Sequence, residues 1–179
     1  MQPVSTQLTE IDIRRADWQH PADQQAVLEL LDRYARDPLG QGGPLSDAVR
    51  QRLIPGLRAQ PGTVVLLAWR DSQPGGLAVC FEGFSTFHAR PLLNLHDLIV
   101  VPELRGRGVG RALLQAVEAE AVRRGCCKLT LEVRADNLRA RRLYRTMGFD
   151  SGESAPEMSF WTKPLFSKRL GEETVGENA

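Results

Sequence analysis

Charge of one sign is what this chain most plainly lacks. Its 23 Lys and Arg stand against 22 Asp and Glu over 179 residues, a formal net charge of +1. A broad nucleic-acid surface normally shows a basic excess, so no nucleic-acid partner is expected. Cysteine is scarce too. The 3 cysteines, two of them adjacent at Cys126 and Cys127, make neither a disulfide framework nor a zinc pattern. No metal is expected, and a reducing, cytoplasmic setting is the default. No apolar run is long enough to cross a bilayer and there is no signal-peptide core, so no membrane partner is expected either. Internal repeats and long low-complexity linkers are also missing. Residues 1–166 read as a single domain, large enough to bury a core without staples. Residues 167–179 are polar and glycine-bearing, and read as a mobile C-terminal tail.

Glycine, by contrast, is concentrated where it matters. Between a strand-like run ending at Val101 and a helix-like run beginning at Val109 stand Gly106, Gly108 and Gly110, with Arg105 and Arg107 among them. A helix N-terminus offers unpaired N–H groups and the positive end of a dipole. Bare backbone and two guanidiniums there suit a phosphate or pyrophosphate. The plainer alternative is a turn that needs glycine only to bend. Further arginines at Arg111, Arg139, Arg141, Arg142 and Arg145 could serve the same polyanion or form a solvated surface.

The periodicities predict a mixed sheet. Residues 8–14 are a first strand, residues 22–36 an amphipathic helix, and Ser46 caps a second helix that Pro55 and Gly56 kink or end. Residues 63–70 and 76–87 form a hairpin, 92–101 a further strand, and the helix from Val109 stops at Gly125. Residues 128–133 return parallel to the strand before that helix. Asn137 caps a last helix ended by Gly148, and 158–162 supply a final strand. The class is therefore α/β (α+β), with six to seven mostly antiparallel strands and about four helices. This differs from a fully parallel doubly wound fold.

Two segments carry a family resemblance. Arg105-Gly106-Arg107-Gly108-Val109-Gly110 fits Arg/Gln-x-x-Gly-x-Gly/Ala and resembles the acyl-CoA loop of the GNAT superfamily of N-acetyltransferases. Asn137-x-x-Ala140-x-x-Leu143-Tyr144-x-x-x-Gly148-Phe149 resembles that superfamily's second signature. The resemblance implies a sheet splayed at an acetyl-CoA site. There the pyrophosphate would lie on the amides from Arg105 to Gly110, and the pantetheine arm would pair along Ile99, Val100 and Val101. Asn137 would meet the pantetheine or phosphate side, and is equally a plain helix cap. Tyr144 matches the tyrosine that protonates the departing thiolate, and without the motif would read as a core aromatic. The implied partners are acetyl-CoA, an amine acceptor and a second copy in a homodimer.

An amine acceptor is mostly ammonium at neutral pH and must lose a proton before it attacks. Candidate acceptors of that proton are His96, Asp97, Glu82 and Glu132. Leu95-His96-Asp97-Leu98 stands where the diamine and thialysine acetyltransferases of the superfamily have Leu-Glu-Asp-Phe, which puts His96 at the position of their glutamate. An imidazole is a chemically adequate base. The departure from glutamate places a polyamine-type substrate in doubt. Asp97 would face the other side of a regular strand and needs a bulge to share the site. Glu82, Ser85 and Phe87 could line the acceptor side, with Asp37 and residues 40–43 closing over it. Two other readings stay open: a non-catalytic acyl-CoA-binding regulatory module, and a dinucleotide site. The latter fits less well, because the glycine spacing misses Gly-x-Gly-x-x-Gly.

Overall fold

The structure is a computed structural model that describes residues 11–150. In chain order it contains β1 (Asp12–Arg15), α1 (Pro21–Arg36), α2 (Asp47–Ala59), β2 (Thr63–Arg70), β3 (Gln73–Ser85) and β4 (Arg90–Val100). A single 3-10 turn, Pro102–Leu104, leads to α3 (Val109–Arg123), β5 (Leu129–Leu131) and α4 (Leu138–Thr146). The sheet order is β1-β2-β3-β4-β5; its first four strands are antiparallel to their neighbours, and β5 lies parallel to β4. One parallel pair in a mixed sheet is not a dinucleotide-binding fold. Five strands are described where six to seven were expected. The expected strand at 158–162, residues 8–10 of the expected first strand and the tail at 167–179 lie outside the described residues.

β2 is buried on both faces, which is why residues 64–68 read as a continuous apolar run. Val64, Leu66 and Ala68 join Leu113, Leu114 and Val117 of α3 in one core. Val65 and Leu67 meet Val27 and Leu30 of α1 and Leu57 of α2 in the other. Ser46 caps α2 as expected, its hydroxyl accepting from the Val49 N–H at 3.4 Å. Pro55 does not end the helix, which runs on to Ala59. Proline removes a bond to the carbonyl four residues back, but Gln51 is exposed, so water can serve that oxygen. Leu57 meanwhile stays buried against the sheet.

β1 is a four-residue edge strand held from both faces by buried acids. Arg14 reaches Asp23 of α1, Nη1 to Oδ2 at 2.5 Å and Nη2 to Oδ1 at 2.8 Å, and the Asp17 N–H donates to the same carboxylate at 2.8 Å. Arg15 reaches the other way, to Glu120 of α3 at 3.5 Å, where Arg123 and Arg124 also bind. A third acid, Asp32, accepts from Arg36 and the Leu45 N–H at 2.9 Å and pairs with Arg50 at 3.0 Å, which ties down the connection between α1 and α2. Burial alone would raise all three carboxyls. Their arginine partners, joined by a backbone N–H at Asp23 and Asp32, outweigh it and hold each below the ordinary carboxylate range.

A group whose folded pKa is depressed stabilises above its unfolded value, near 4, and loses that contribution as pH falls through the folded value. The thermal midpoint should therefore fall steeply once the pH drops below about 4. Asp23→Asn should cost about 2–4 kcal/mol at neutral pH and make the acid limb shallower. A variant as stable as the parent, with the same acid profile, would show that the Arg14–Asp23 clamp contributes nothing.

Candidate active site

The glycine turn is built by left-handed backbone. Gly106 and Gly108 have φ of 79° and 86°, and Gly108 is the N-cap of α3, with no side chain capping the helix. The first-turn N–H groups of a 15-residue helix therefore point out of the turn. Gly110 serves a different purpose. A Cβ there would sit 3.0 Å from Leu143 Cδ2 and 3.7 Å from Val100 Cγ2, so its bareness lets α3, α4 and β4 meet closely. Two of the alternating glycines bend the chain; the third packs it.

Beside the turn the sheet opens. Pairing of β4 with β5 covers only Leu93↔Leu129, Asn94↔Thr130 and Leu95↔Leu131. Past Leu95, β4 continues to Val100 with no strand partner on that side among the described residues. The Val101 N–H donates to the Gly75 carbonyl on the β3 side at 3.0 Å. By alternation Ile99 also faces β3, while the N–H and C=O of Leu98 and Val100 face the opening. The cleft holds about 990 Å³ and is bounded by the end of α1, by β4, by the glycine turn and by α4.

β4 also carries a bulge. Val79 is opposite Asp97 but Cys80 is opposite Leu95, so His96 is the extra residue. Leu95 and Leu98 consequently both pack toward α3. His96 and Asp97 both turn to the α1 face, where the His96 ring meets Phe81 edge-on at 5.4 Å. Regular alternation had placed Asp97 on the far side; the bulge corrects that.

His96, Ile99, Val100, Val101, Arg105, Gly106, Gly108, Gly110, Asn137 and Tyr144 all border the cleft. Arg107 does not, pointing into solvent, and the Val109 side chain is buried in the core, leaving only its backbone to contribute. Arg111 and Arg139 do reach the wall, as does Glu132. Glu82 is elsewhere, bound to Arg124 at 2.7 Å. Ser85 hydrogen-bonds His88 at 3.1 Å, and Phe87 is 99% exposed at the hairpin tip. The physical reason is direction: β3 runs antiparallel to β4, so its residues beyond Phe81 pair with Leu93 to Arg90 and recede from the glycine turn. Asn137 caps α4, its Oδ1 accepting from the Ala140 N–H at 3.1 Å.

Tyr34 is the wall residue that the sequence concealed, since it falls on the apolar face of α1 and reads as core. It faces Asp37, Asp97 and Tyr144. Burial, then Asp97 and Asp37, raise its phenol, with Arg134 opposing. Burial pushes the Tyr144 phenol up to about 12, and Tyr34 and Asp97 add to the effect. Burial likewise raises the Asp97 carboxyl, while His96 partly offsets it. Tyr34, Tyr144 and His96 thus border the cleft, and the Asp97 carboxyl, though not part of its wall, lies near both phenols.

Residues 24–149 match the Acetyltransferase (GNAT) family. An aminoglycoside N(6')-acetyltransferase type 1 from Stenotrophomonas maltophilia is 30% identical over 136 residues, 74% of this chain and 88% of that one. A thialysine N-epsilon-acetyltransferase from Bos taurus is 36% identical over 73 residues, 41% of this chain and 42% of that protein. The solved aminoglycoside N-acetyltransferase AAC(6')-Iy in complex with CoA superposes with a TM-score of 0.68 at 20% identity, covering 87% of this chain and 95% of that one.

The turn geometry is open to a direct check. Among the described residues, its own chain neighbours apart, no atom lies within 4 Å of a Cβ built on Gly108, yet its φ is +86°. Gly108→Ala should therefore cost about 1–2 kcal/mol through backbone strain alone. An unchanged thermal midpoint would mean that the residue is not left-handed.

Proposed function

The chain belongs to the Acetyltransferase (GNAT) family, and on that premise we propose that it moves the acetyl group of acetyl-CoA to a primary amine by direct attack in a ternary complex. The family uses acetyl-CoA as cosubstrate, and the residues present fit it. The observation that carries the reading is the open edge of β4, with the backbone of Leu98 and Val100 turned outward between the glycine turn and Tyr144. An amide-bearing arm pairs with such an edge as an added strand would. Its pyrophosphate falls at the uncapped start of α3, with Arg105, Arg111 and Arg139 around it.

The residues divide the reaction among them. His96 and Asp97, brought to one face by the bulge, take the proton from the ammonium, directly or through water. The freed nitrogen lone pair attacks the thioester carbon, while a backbone N–H of Leu98 or Val100 steadies the charge that develops on oxygen. As the carbon–sulfur bond breaks, Tyr144 offers its O–H to the departing sulfur. A phenol held up at about 12 is always protonated at neutral pH. It is also a reluctant acid, so its contribution is a hydrogen bond that becomes a proton transfer only as the thiolate forms. The acceptor we propose is a small amine, a polyamine or an amino-acid-like amine; the aminoglycoside and thialysine enzymes show such amines used by relatives.

The decisive experiment is a panel of such amines with detection of released thiol. Thiol release with at least one amine is expected; CoA binding with no release from any would favour a non-catalytic binding module. Tyr144→Phe should lower kcat by roughly 10²-fold while leaving acetyl-CoA affinity nearly unchanged. Unaltered turnover would remove Tyr144 from the chemistry. His96→Ala should depress the rate most near neutral pH, where an imidazole is free to accept a proton and the acceptor amine is still mostly ammonium, and progressively less at lower pH. A pH profile identical to the parent's would transfer the role to Asp97, which Asp97→Asn tests in the same way.

A further inference from the structure

The Arg105 guanidinium is engaged on two sides at once. Its Nε donates to the Val100 carbonyl at 3.0 Å, on the outward edge of β4, and its Nη2 reaches Asp37 Oδ2 at 3.4 Å. Asp37 is the C-cap of α1 and organises the connection that follows. Its other oxygen accepts from the Leu39 N–H at 2.9 Å, and its carbonyl from the Gly40 N–H at 2.8 Å. A second ion pair, Arg33 to Glu103 at 3.5 Å, joins α1 to the 3-10 turn before the glycines. The segment after α1 is thus fastened to the cofactor turn through Arg105.

We propose that Asp37 is a positioning residue for cofactor binding: it holds Arg105 across the β4 edge and yields it to the pyrophosphate of acetyl-CoA. The inference rests on the proposed reading of this cleft. Both contacts of Arg105 compete with the cosubstrate, since the pantetheine arm needs the edge at Val100 and the pyrophosphate needs the guanidinium that Asp37 holds. A single carboxylate oxygen at 3.4 Å, its side chain 26% exposed and that of Arg105 39%, is a long and partly screened partner, whereas a diphosphate accepts charge-assisted, bidentate bonds from a guanidinium. The exchange leaves the Asp37 carboxylate without its arginine, beside Tyr34 on the acceptor side of the cleft. Arrival of the cosubstrate therefore exposes an anion suited to an incoming ammonium, and loosens the turn at Leu39 and Gly40.

Calorimetric titration of the full chain with CoA tests this. Asp37→Asn keeps the shape and removes the charge. It should bind CoA roughly two- to fivefold more tightly than the parent at low ionic strength, the gain shrinking in about 0.5 M salt. Asp37→Glu should return affinity toward the parent value. Glu103→Gln removes the same charge from the adjoining turn without touching Arg105, and its smaller gain sets the size of the general electrostatic effect. In the parent, CoA should speed hydrogen exchange at the Leu39 and Gly40 amides, which a purely structural aspartate would not do. An Asp37→Asn affinity equal to or below the parent's, or a gain no larger than that of Glu103→Gln, overturns the proposal. Failure of the parent to bind CoA at all would instead overturn the reading of the cleft, and the proposal with it.

Discussion

Everything at this site depends on two parallel strands that separate early. β4 and β5 share three residue pairs and then diverge, while β4 runs on with its outward backbone groups outside any strand pairing among the described residues, the Val100 carbonyl held by the Arg105 side chain. An open strand edge inside a fold is costly unless something satisfies it, because peptide groups left without partners or water lose most of a hydrogen bond's worth. Here the edge opens on a cleft of about 990 Å³, so water or a ligand can reach it. The divergence is maintained from both sides. On one, Gly110 allows Leu143 of α4 to press toward Val100; on the other, the three-residue β5 ends and the chain turns off toward the Asn137 cap.

The scaffold around the cleft is fixed largely by arginines on buried acids. Asp23 and Glu120 secure the short edge strand β1 to α1 and α3, one on each face of the sheet. Asp32 does the corresponding work on the connection that carries Asp37 to the cleft. These pairs do not make the core, which is the apolar layer on either face of β2 and β3. Asp32, one turn before the end of α1, instead ties that end to the connection beyond it, close to Tyr34 and Asp37. Breaking a satisfied buried acid leaves a charge without partners, so such clamps resist small rearrangements more strongly than apolar contacts do.

Much of this was legible in sequence because it is local. The glycine turn, the Ser46 and Asn137 caps and the stops at Gly125 and Gly148 depend on a few adjacent residues whose backbone preferences are strong. The register of β4 was not legible. Whether His96 is bulged depends on which residue of β3 lies opposite, a matter of pairing across the sheet that no single strand records. Of the two outcomes expected at Pro55, a kink or an end, the end does not occur, since its lost hydrogen bond falls on a solvated face. Glu82, Ser85 and Phe87 were misplaced because membership of the neighbouring strand was taken for nearness, when antiparallel direction carries them away. Tyr34 was hidden by its helical spacing: the same apolar face that packs α1 onto the sheet ends at the cleft wall.

The bulge and the two tyrosines together explain how this cleft can favour an uncharged amine. Burial holds both phenols protonated and raises Asp97, all signs of a place that disfavours charge. An ammonium entering such a place is destabilised by the same desolvation, which lowers its pKa toward neutrality and makes proton loss easier. A carboxylate with a raised pKa is, in turn, a better proton acceptor than one in water. The acid and the base of the proposed reaction are therefore shifted by one cause, the partial burial of the Tyr144 and Asp97 side chains. A separate device for each is unnecessary. The bulge at His96 is what turns Asp97 to the α1 face, near Tyr34, and an unbulged β4 would turn that carboxyl to the opposite face.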